Sequence, residues 1–329
     1  MKVSEDPLKM IGQTPLVRLK SMVNGSGVNI LAKLEYYNAT GSIKDRMAAY
    51  IIEDAEKRGL LKPGGTIVEN SSGNTGSALA MIAAVKGYRC IITIPDKMSE
   101  EKINLMRAYG AEVIVTRTDV PAESPDSYYS VARRIAEETP NSFYPDQYNN
   151  PKNIEAHYNT TGPEIWEQTD GNIDYFVAGI GTGGTLSGAA KFLKEKNPNI
   201  KVIAVDPEGS VFYNFFKTGD IGQPHVYKVE GIGEDYLVKA VDFSLIDDII
   251  RVTDKDSFIT TRKLAREEGL FAGGSSGSAV WAALKVAEEM AKAGQNIITI
   301  LPDHGSRYLS KIYNDNWMRE HGFLNGDLR

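Results

Sequence analysis

The sequence predicts an α/β protein with two open, twisted, mostly parallel sheets and helices on both faces. Short apolar runs rich in Val and Ile alternate with longer helical patterns along most of the chain. Such alternation implies parallel strands joined by crossover helices. The strand runs are continuously apolar, as befits strands covered on both faces. The rhythm falters between about residues 145 and 171, and again between about 209 and 248. A chain of 329 residues is long for one domain of about 100–200, so two sheets are expected to meet near the first break.

The elements follow in order. Thr66, Ile67, Val68 and Glu69 read as a strand, followed by a helix of small residues over 75–85. A strand over 90–94 precedes a helix over 99–109, and a strand over 113–115 precedes a helix over 128–138. Beyond the first break come a strand over 175–178, a helix over 185–194 and a strand over 202–205. A helix over about 277–293 and a strand over 297–301 close the pattern. The expected division is a smaller unit over 43–155 and a larger one made of 1–42 and 156–329, with the ligand cleft between them.

Composition removes several classes. Hydrophobic residues at 42% and charged residues at 24% exclude a disordered, collagen-like or coiled-coil chain. A net charge of -6 gives no electrostatic footprint for nucleic acid. The single cysteine, Cys90, excludes a disulfide framework, a CxxC redox pair and an all-cysteine zinc site. The four histidines lack metal-ligand spacing, so no metal is expected. The first residues lack the apolar core of a signal peptide, and no apolar run nears the roughly 18 residues of a membrane span. A cytoplasmic protein with neither membrane nor nucleic acid as partner is expected.

Ligands of open parallel sheets sit beyond the carboxyl ends of strands, and there the sequence carries glycine-rich loops. Asn70-Ser71-Ser72-Gly73-Asn74-Thr75-Gly76 offers hydroxyls, an amide and N–H groups at a helix start, suited to a carboxylate or phosphate. The same residues also read as an ordinary helix cap. Gly179-Ile180-Gly181-Thr182-Gly183-Gly184-Thr185 matches the dinucleotide fingerprint, with Asp206 near the place of a ribose-binding acid. Its density of Gly and Thr also suits one phosphate. Gly273-Gly274-Ser275-Ser276-Gly277 satisfies the nucleophile-elbow pattern of hydrolases, with Asp303 and then His304 or His321 in the required order. Finally, Lys44 follows Gly41 and Ser42 at a probable helix start, where the helix dipole disfavours its charge and favours a neutral, nucleophilic amine. Otherwise it reads as a surface lysine paired with Asp45 or Glu35.

Taken together, Ser42-Ile43-Lys44-Asp45-Arg46, Ser72-Gly73-Asn74-Thr75-Gly76, Gly181-Thr182-Gly183-Gly184-Thr185 and Gly274-Ser275-Ser276-Gly277 resemble the fold-type II pyridoxal-phosphate enzymes. These have a tryptophan synthase β-like fold. More narrowly, the chain resembles the cysteine synthase/cystathionine β-synthase family from about Ile11 to Met318. Glu230-Gly231-Ile232-Gly233-Glu234-Asp235 and the late run from Tyr308 to Leu324 lean toward the catalytic core of the cystathionine β-synthase branch. Ser71 departs from the Thr usual there, and Glu234 from the aromatic residue of animal members. A haem-binding extension and a pair of S-adenosylmethionine-binding modules have no counterpart in this sequence, so no haem is expected.

The resemblance implies roles. Lys44 would hold pyridoxal 5'-phosphate covalently and shuttle the substrate α-proton. Asn74 would meet the ring hydroxyl, and Gly181, Thr182, Gly183, Gly184 and Thr185 would cradle the phosphate. Ser275 would face the pyridine nitrogen. Ser71, Ser72, Gly73, Thr75 and Gln147 would bind the amino-acid substrate, while Tyr148, Gly231, Gly233 and Glu234 would border the second one. The implied reaction is β-replacement on L-serine, an activated serine or cysteine by the thiol of L-homocysteine, giving L-cystathionine, with hydrogen sulfide released when cysteine is the donor. A homodimer is implied as well. The runner-up is O-acetylserine sulfhydrylase, and an NAD-dependent dehydrogenase is the distant alternative. A non-catalytic binding protein on the same fold is opposed by the intact Lys44.

Overall fold

Apolar strand runs and small-residue helices assort into two layered units in the computed structural model, which describes residues 3–23, 25, 27–121 and 124–324. The strands are β1 (Leu16–Arg18), β2 (Asn29–Leu34), β3 (Thr66–Asn70), β4 (Arg89–Pro95), β5 (Glu112–Thr116), β6 (Ser142–Phe143), β7 (Tyr175–Gly179), β8 (Lys201–Pro207), β9 (Asp248–Val252) and β10 (Asn296–Leu301). One sheet has the order β1-β2-β10-β7-β8-β9 and the other β5-β4-β3-β6. Every pairing is parallel except β1 with β2. The two mostly parallel sheets expected from the alternation are present.

The apolar runs explain the layers. Along β7, β8 and β10 successive side chains alternate between two cores. Phe176, Val202, Ala204, Ile298 and Ile300 fill one face of the larger sheet. Val177, Ile203, Val205, Ile297 and Leu301 fill the other. Each such side chain contributes about 1.5–3 kcal/mol on full burial. In the smaller sheet, Ile92 and Ile94 pack with the buried run Ala78, Leu79, Ala80, Met81, Ile82 and Ala83 of the helix Asn74–Lys86. A helix apolar all round belongs in a protein interior, which fits its place against the helix Lys44–Lys57 and β4.

The sequence pattern differs from the structure where turn residues interrupt it. The stretch around 145–171 holds two helices, Lys152–Asn159 and Thr161–Gln168. The helix expected over 277–293 runs instead over Gly274–Glu289. Its first turn is poor in helix formers but buried. Ser278 Oγ donates to Ser257 Oγ at 2.8 Å across to the helix Asp254–Glu267. Small side chains let these two helices approach, and that packing outweighs local propensity. Among the described residues, no helix is long and apolar enough to cross a membrane.

Candidate active site

The carboxyl ends of β3, β7 and β10 open into one cavity of about 690 Å³, lined by Lys44, Asn74, Thr75, Gln147, Gly181 and Ser275 among others. Lys44 is the first residue of the helix Lys44–Lys57. Its backbone is tied down on the preceding side, where the Ile43 N–H donates to Pro302 O at 2.8 Å and the Lys44 N–H to Ser42 Oγ at 3.3 Å. On the following side, Asp45 accepts from the Thr40 N–H at 2.6 Å and from the Thr40 hydroxyl. Arg46 grips Glu35 and Glu164 with paired hydrogen bonds of 2.7–2.9 Å. Asp45 and Glu35 are thus committed elsewhere, and the reading of Lys44 as a paired surface lysine falls. Its amine has no hydrogen-bond or ion-pair partner among the described residues. Burial lowers its pKa, while the charges of Asp303 and Glu234 pull it back up. The direction is the one expected from the helix start, but burial is the largest cause.

The loop after β3 turns into the helix Asn74–Lys86. Ser71 lies beneath the surface of the cavity, 1% exposed. Its Oγ accepts the N–H groups of Gly73 and Gly76 at 3.0 and 2.9 Å. Ser72 lines the cavity itself. Thr75 Oγ1 donates to Gln147 Oε1 at 2.6 Å, and Gln147 Nε2 donates to Asn70 O at 3.1 Å. Asn74 donates to Asp303 Oδ2 at 2.7 Å and accepts from Arg307 Nε at 2.9 Å.

The loop after β7 leads into the helix Gly184–Lys196. Gly183 has φ +86°, the left-handed region that favours glycine, and a Cβ on Gly184 would collide with Asn153 Oδ1. Thr182 Oγ1 accepts from Asn153 Nδ2 at 2.9 Å. A second hollow of about 30 Å³ lies here, lined by Lys44, Gly181, Thr182, Gly183, Thr185 and Gly231. The first N–H groups of a helix have no carbonyl within it to bond, so they are free for an anion. This cradle of bare backbone, two hydroxyls and an unpaired lysine fits a phosphate joined to an aldehyde.

Ser275 sits in the first turn of the helix Gly274–Glu289, 2% exposed, and lines the larger cavity. The hydrolase reading has no triad behind it. Asp303 is bonded to Asn74 and Tyr308, His304 to Ser306, and His321 to the Trp317 carbonyl. The dinucleotide reading fails as well. Asp206 is fully buried, with Oδ2 accepting the Tyr213 N–H at 2.8 Å, and it lines neither cavity, so it cannot reach a ribose.

Toward the mouth, Gly231, Gly233, Glu234 and Tyr148 line the same cavity. The Glu234 carboxyl is pushed up to about 8, chiefly by burial and then by Asp235, against the charges of Lys97 and Lys44. Tyr128, Tyr129, Tyr148 and Tyr236 form an aromatic wall around it, with ring centroids 4.0–6.4 Å apart. The sequence did not foresee a second cluster in the cavity lining. Lys102 of the helix Glu100–Ala108 bonds Glu230, and Lys311 bonds the other oxygen of the same carboxylate at 2.7 Å. Nor did it single out Arg307 or Asn153, for which no local pattern exists, and it read Asp303 only as a triad acid. Among the described residues, no cluster of acids, His or Cys is arranged to hold a metal ion.

Comparison with known proteins agrees with this geometry. A family model described as "Pyridoxal-phosphate dependent enzyme" matches residues 8–303. The cystathionine beta-synthase of Rattus norvegicus is 48% identical over 329 residues, covering 99% of this chain and 58% of that protein. That of Apis mellifera is 49% identical over 326 residues, covering 98% of this chain and 64% of that protein. The chain thus spans between 58% and 64% of the length of these two relatives. The crystal structure of the O-acetylserine dependent cystathionine beta-synthase from Helicobacter pylori superposes with a TM-score of 0.88 at 39% identity, covering 95% of this chain and 100% of that one. The chain belongs to the pyridoxal-phosphate dependent enzyme family, and its cofactor is pyridoxal 5'-phosphate.

Proposed function

We propose that this chain makes L-cystathionine by β-replacement, joining the thiol of L-homocysteine to the β-carbon of L-serine or of its O-acetyl ester. One observation carries the reading. A single cavity of about 690 Å³ is lined by Lys44 and also by Glu234 and Lys97, so a thiol with its own amino-acid head has room and charge partners. The relatives' names point the same way. That of the Helicobacter pylori structure favours the acetyl ester as first substrate.

When bound, the cofactor supplies an electron sink for the substrate α-carbon. The chain's residues do the rest. Lys44 anchors the cofactor and, once released, takes the α-proton, a task that suits an amine whose burial disfavours its charge. Ser72, Thr75 and Gln147 hold the substrate carboxylate. Asn74 orients the ring, and residues 181–185 hold the phosphate. The Ser275 hydroxyl meets the pyridine nitrogen without keeping it protonated, as a carboxylate there would. Tyr148 and Glu234 receive the second substrate. Release of hydrogen sulfide from cysteine, a homodimeric assembly and a cytoplasmic setting go with this reading on family precedent.

Product analysis tests it, with serine, O-acetylserine and cysteine each offered with homocysteine and with sulfide. Cystathionine as the main product is expected. Cysteine formed from sulfide, with no turnover of homocysteine, would replace the reading with a sulfhydrylase.

A further inference from the structure

His157 lies in the helix Lys152–Asn159, 1% exposed, directly behind the helix start at Gly184. Its two ring nitrogens each meet one hydroxyl. Nδ1 is 2.8 Å from Thr161 Oγ1, and Nε2 is 3.2 Å from Thr185 Oγ1. Turning the ring over would put carbons against both hydroxyls, so this orientation is the bonded one. We propose that the chain Thr161–His157–Thr185 is a one-way hydrogen-bond relay, with the His157 proton on Nε2, that leaves the Thr185 hydroxyl proton free for the cofactor phosphate.

The direction follows from counting protons. A neutral imidazole has one donor and one acceptor, and a hydroxyl has one proton to give. Thr161 is fully buried, and its hydroxyl has no partner besides His157 Nδ1 among the described residues. If Nδ1 carried the proton, the Thr161 hydroxyl would accept and its own proton would be stranded in the interior. Buried donors without acceptors are rare because they lose their water and gain nothing. Thr161 therefore donates to Nδ1, which puts the ring proton on Nε2, where it donates to Thr185 Oγ1. Thr185 has then filled an acceptor site and must spend its own proton elsewhere. It lines the small hollow beside Gly181 and Lys44. A phosphate dianion only accepts, so a hydroxyl whose proton is held toward it binds better than one free to turn toward the ring. Burial, with the neighbouring charges of Lys44 and Arg46, holds the His157 pKa well below the usual histidine value and keeps the ring neutral. The relay rests on reading residues 181–185 as the phosphate cradle. His157 and Thr161 act through Thr185 and are positioning residues.

The test uses holoenzyme labelled with ¹⁵N-histidine. Long-range ¹H–¹⁵N spectra, assigned by the signals missing from His157→Gln, should show a neutral ring protonated at Nε2. Thr161→Val should speed cofactor release about tenfold and move the ³¹P resonance of the bound cofactor, although residue 161 does not face the hollow. Thr161→Ser should restore both, which a merely structural role for the methyl-bearing side chain would not give. If Thr161→Val does not fold, the ring spectrum of the unaltered holoenzyme still decides. A proton on Nδ1, or Thr161→Val with unaltered release and ³¹P shift, overturns the relay. Thr185→Ala separates the two readings. Weaker cofactor retention is expected. Unchanged retention overturns the cradle and the relay with it, whereas weaker retention with the His157 proton on Nδ1 overturns the relay alone.

Discussion

Asn74 donates its side-chain amide to Asp303 at 2.7 Å, although 229 residues separate them. The same Asp303 oxygen accepts from the Tyr308 hydroxyl at 2.6 Å, while Oδ1 is buried with no hydrogen-bond partner among the described residues. One carboxylate thus fixes the residue read as the ring-orienting amide. Its charge also favours the protonated form of the Lys44 amine.

Asp303→Asn should therefore shift cofactor uptake by the apoenzyme toward lower pH. The Asp303 charge raises the Lys44 pKa. Removing it lowers that pKa further and enlarges the neutral amine fraction at any given pH. Association rates of pyridoxal phosphate measured across pH check this, and an unchanged profile would detach Asp303 from Lys44. Asp303→Ala should also cost about 1–3 kcal/mol of stability for each buried donor left unpaired, read from urea unfolding.

Lys44→Ala should abolish the absorbance of lysine-bound cofactor and all turnover. Stability of the apoenzyme should hardly change, because the amine has no hydrogen-bond or ion-pair partner among the described residues to lose. Borohydride reduction and peptide mapping of the unaltered enzyme should place the adduct on Lys44. An adduct on another lysine sinks the assignment.

Ser275→Asp should slow β-replacement at least tenfold, about 1.4 kcal/mol in the barrier, by holding the ring nitrogen protonated. Ser275→Ala should retain cofactor and lose less activity. Steady-state kinetics of the two variants side by side test the point. Labelling of Ser275 by a serine-hydrolase phosphonate would revive the elbow reading instead.

Glu164 accepts from Arg46, Lys33 and the Gln13 N–H. Its carboxyl sits at about 2 against an ordinary 4.5, because these partners outweigh burial. The folded-state pKa is depressed, so the stabilisation is present above pH about 4.5 and is lost as pH falls toward 2. Glu164→Gln should remove that part of the acid unfolding curve and lower stability at neutral pH. Urea midpoints between pH 3 and 7 check it. The variant and the parent should converge at the acid end.

The strands ending in glycine-rich loops were legible because burial on both faces writes continuous apolar runs, as in β3 and β7. β1 and β9 were not. Arg18 and Asp248 break their runs at the edges of the larger sheet. The helices at 152–168 were hidden by Pro151 and the Gly162-Pro163 pair, which read as breakers but sit at or within the first turn of each helix, where a missing N–H costs nothing. Lys44 and Ser275 stood out because their neighbours form dense local motifs. The Lys102–Glu230–Lys311 cluster joins positions 128 and 81 residues apart. No local pattern encodes such a meeting, which depends on how the two sheets face each other. Ser71 shows the reverse limit. Its place in the motif was legible, but its hydroxyl turns inward onto Gly73 and Gly76.

The proposed function makes Glu234 the residue expected to discriminate between thiols. It lines the cavity and is pushed up to about 8 by burial before any other cause. Near pH 7 the free enzyme therefore holds it protonated. A homocysteine ammonium beside it would favour the carboxylate, and a charge-assisted hydrogen bond of that kind contributes roughly 1.5–3 kcal/mol. Binding must then expel a proton, so KM for homocysteine should fall as pH rises toward 8 and level off above it. Sulfide carries no ammonium, so its pH profile should be the same in the parent and in a Glu234 variant. Glu234→Gln keeps the size but cannot ionise. It should raise KM for homocysteine roughly tenfold to a hundredfold, flatten its pH dependence and leave KM for sulfide nearly unchanged. Thiol ionisation is common to both enzymes and cancels in the comparison. Equal effects on the two nucleophiles would remove Glu234 from the site of the second substrate.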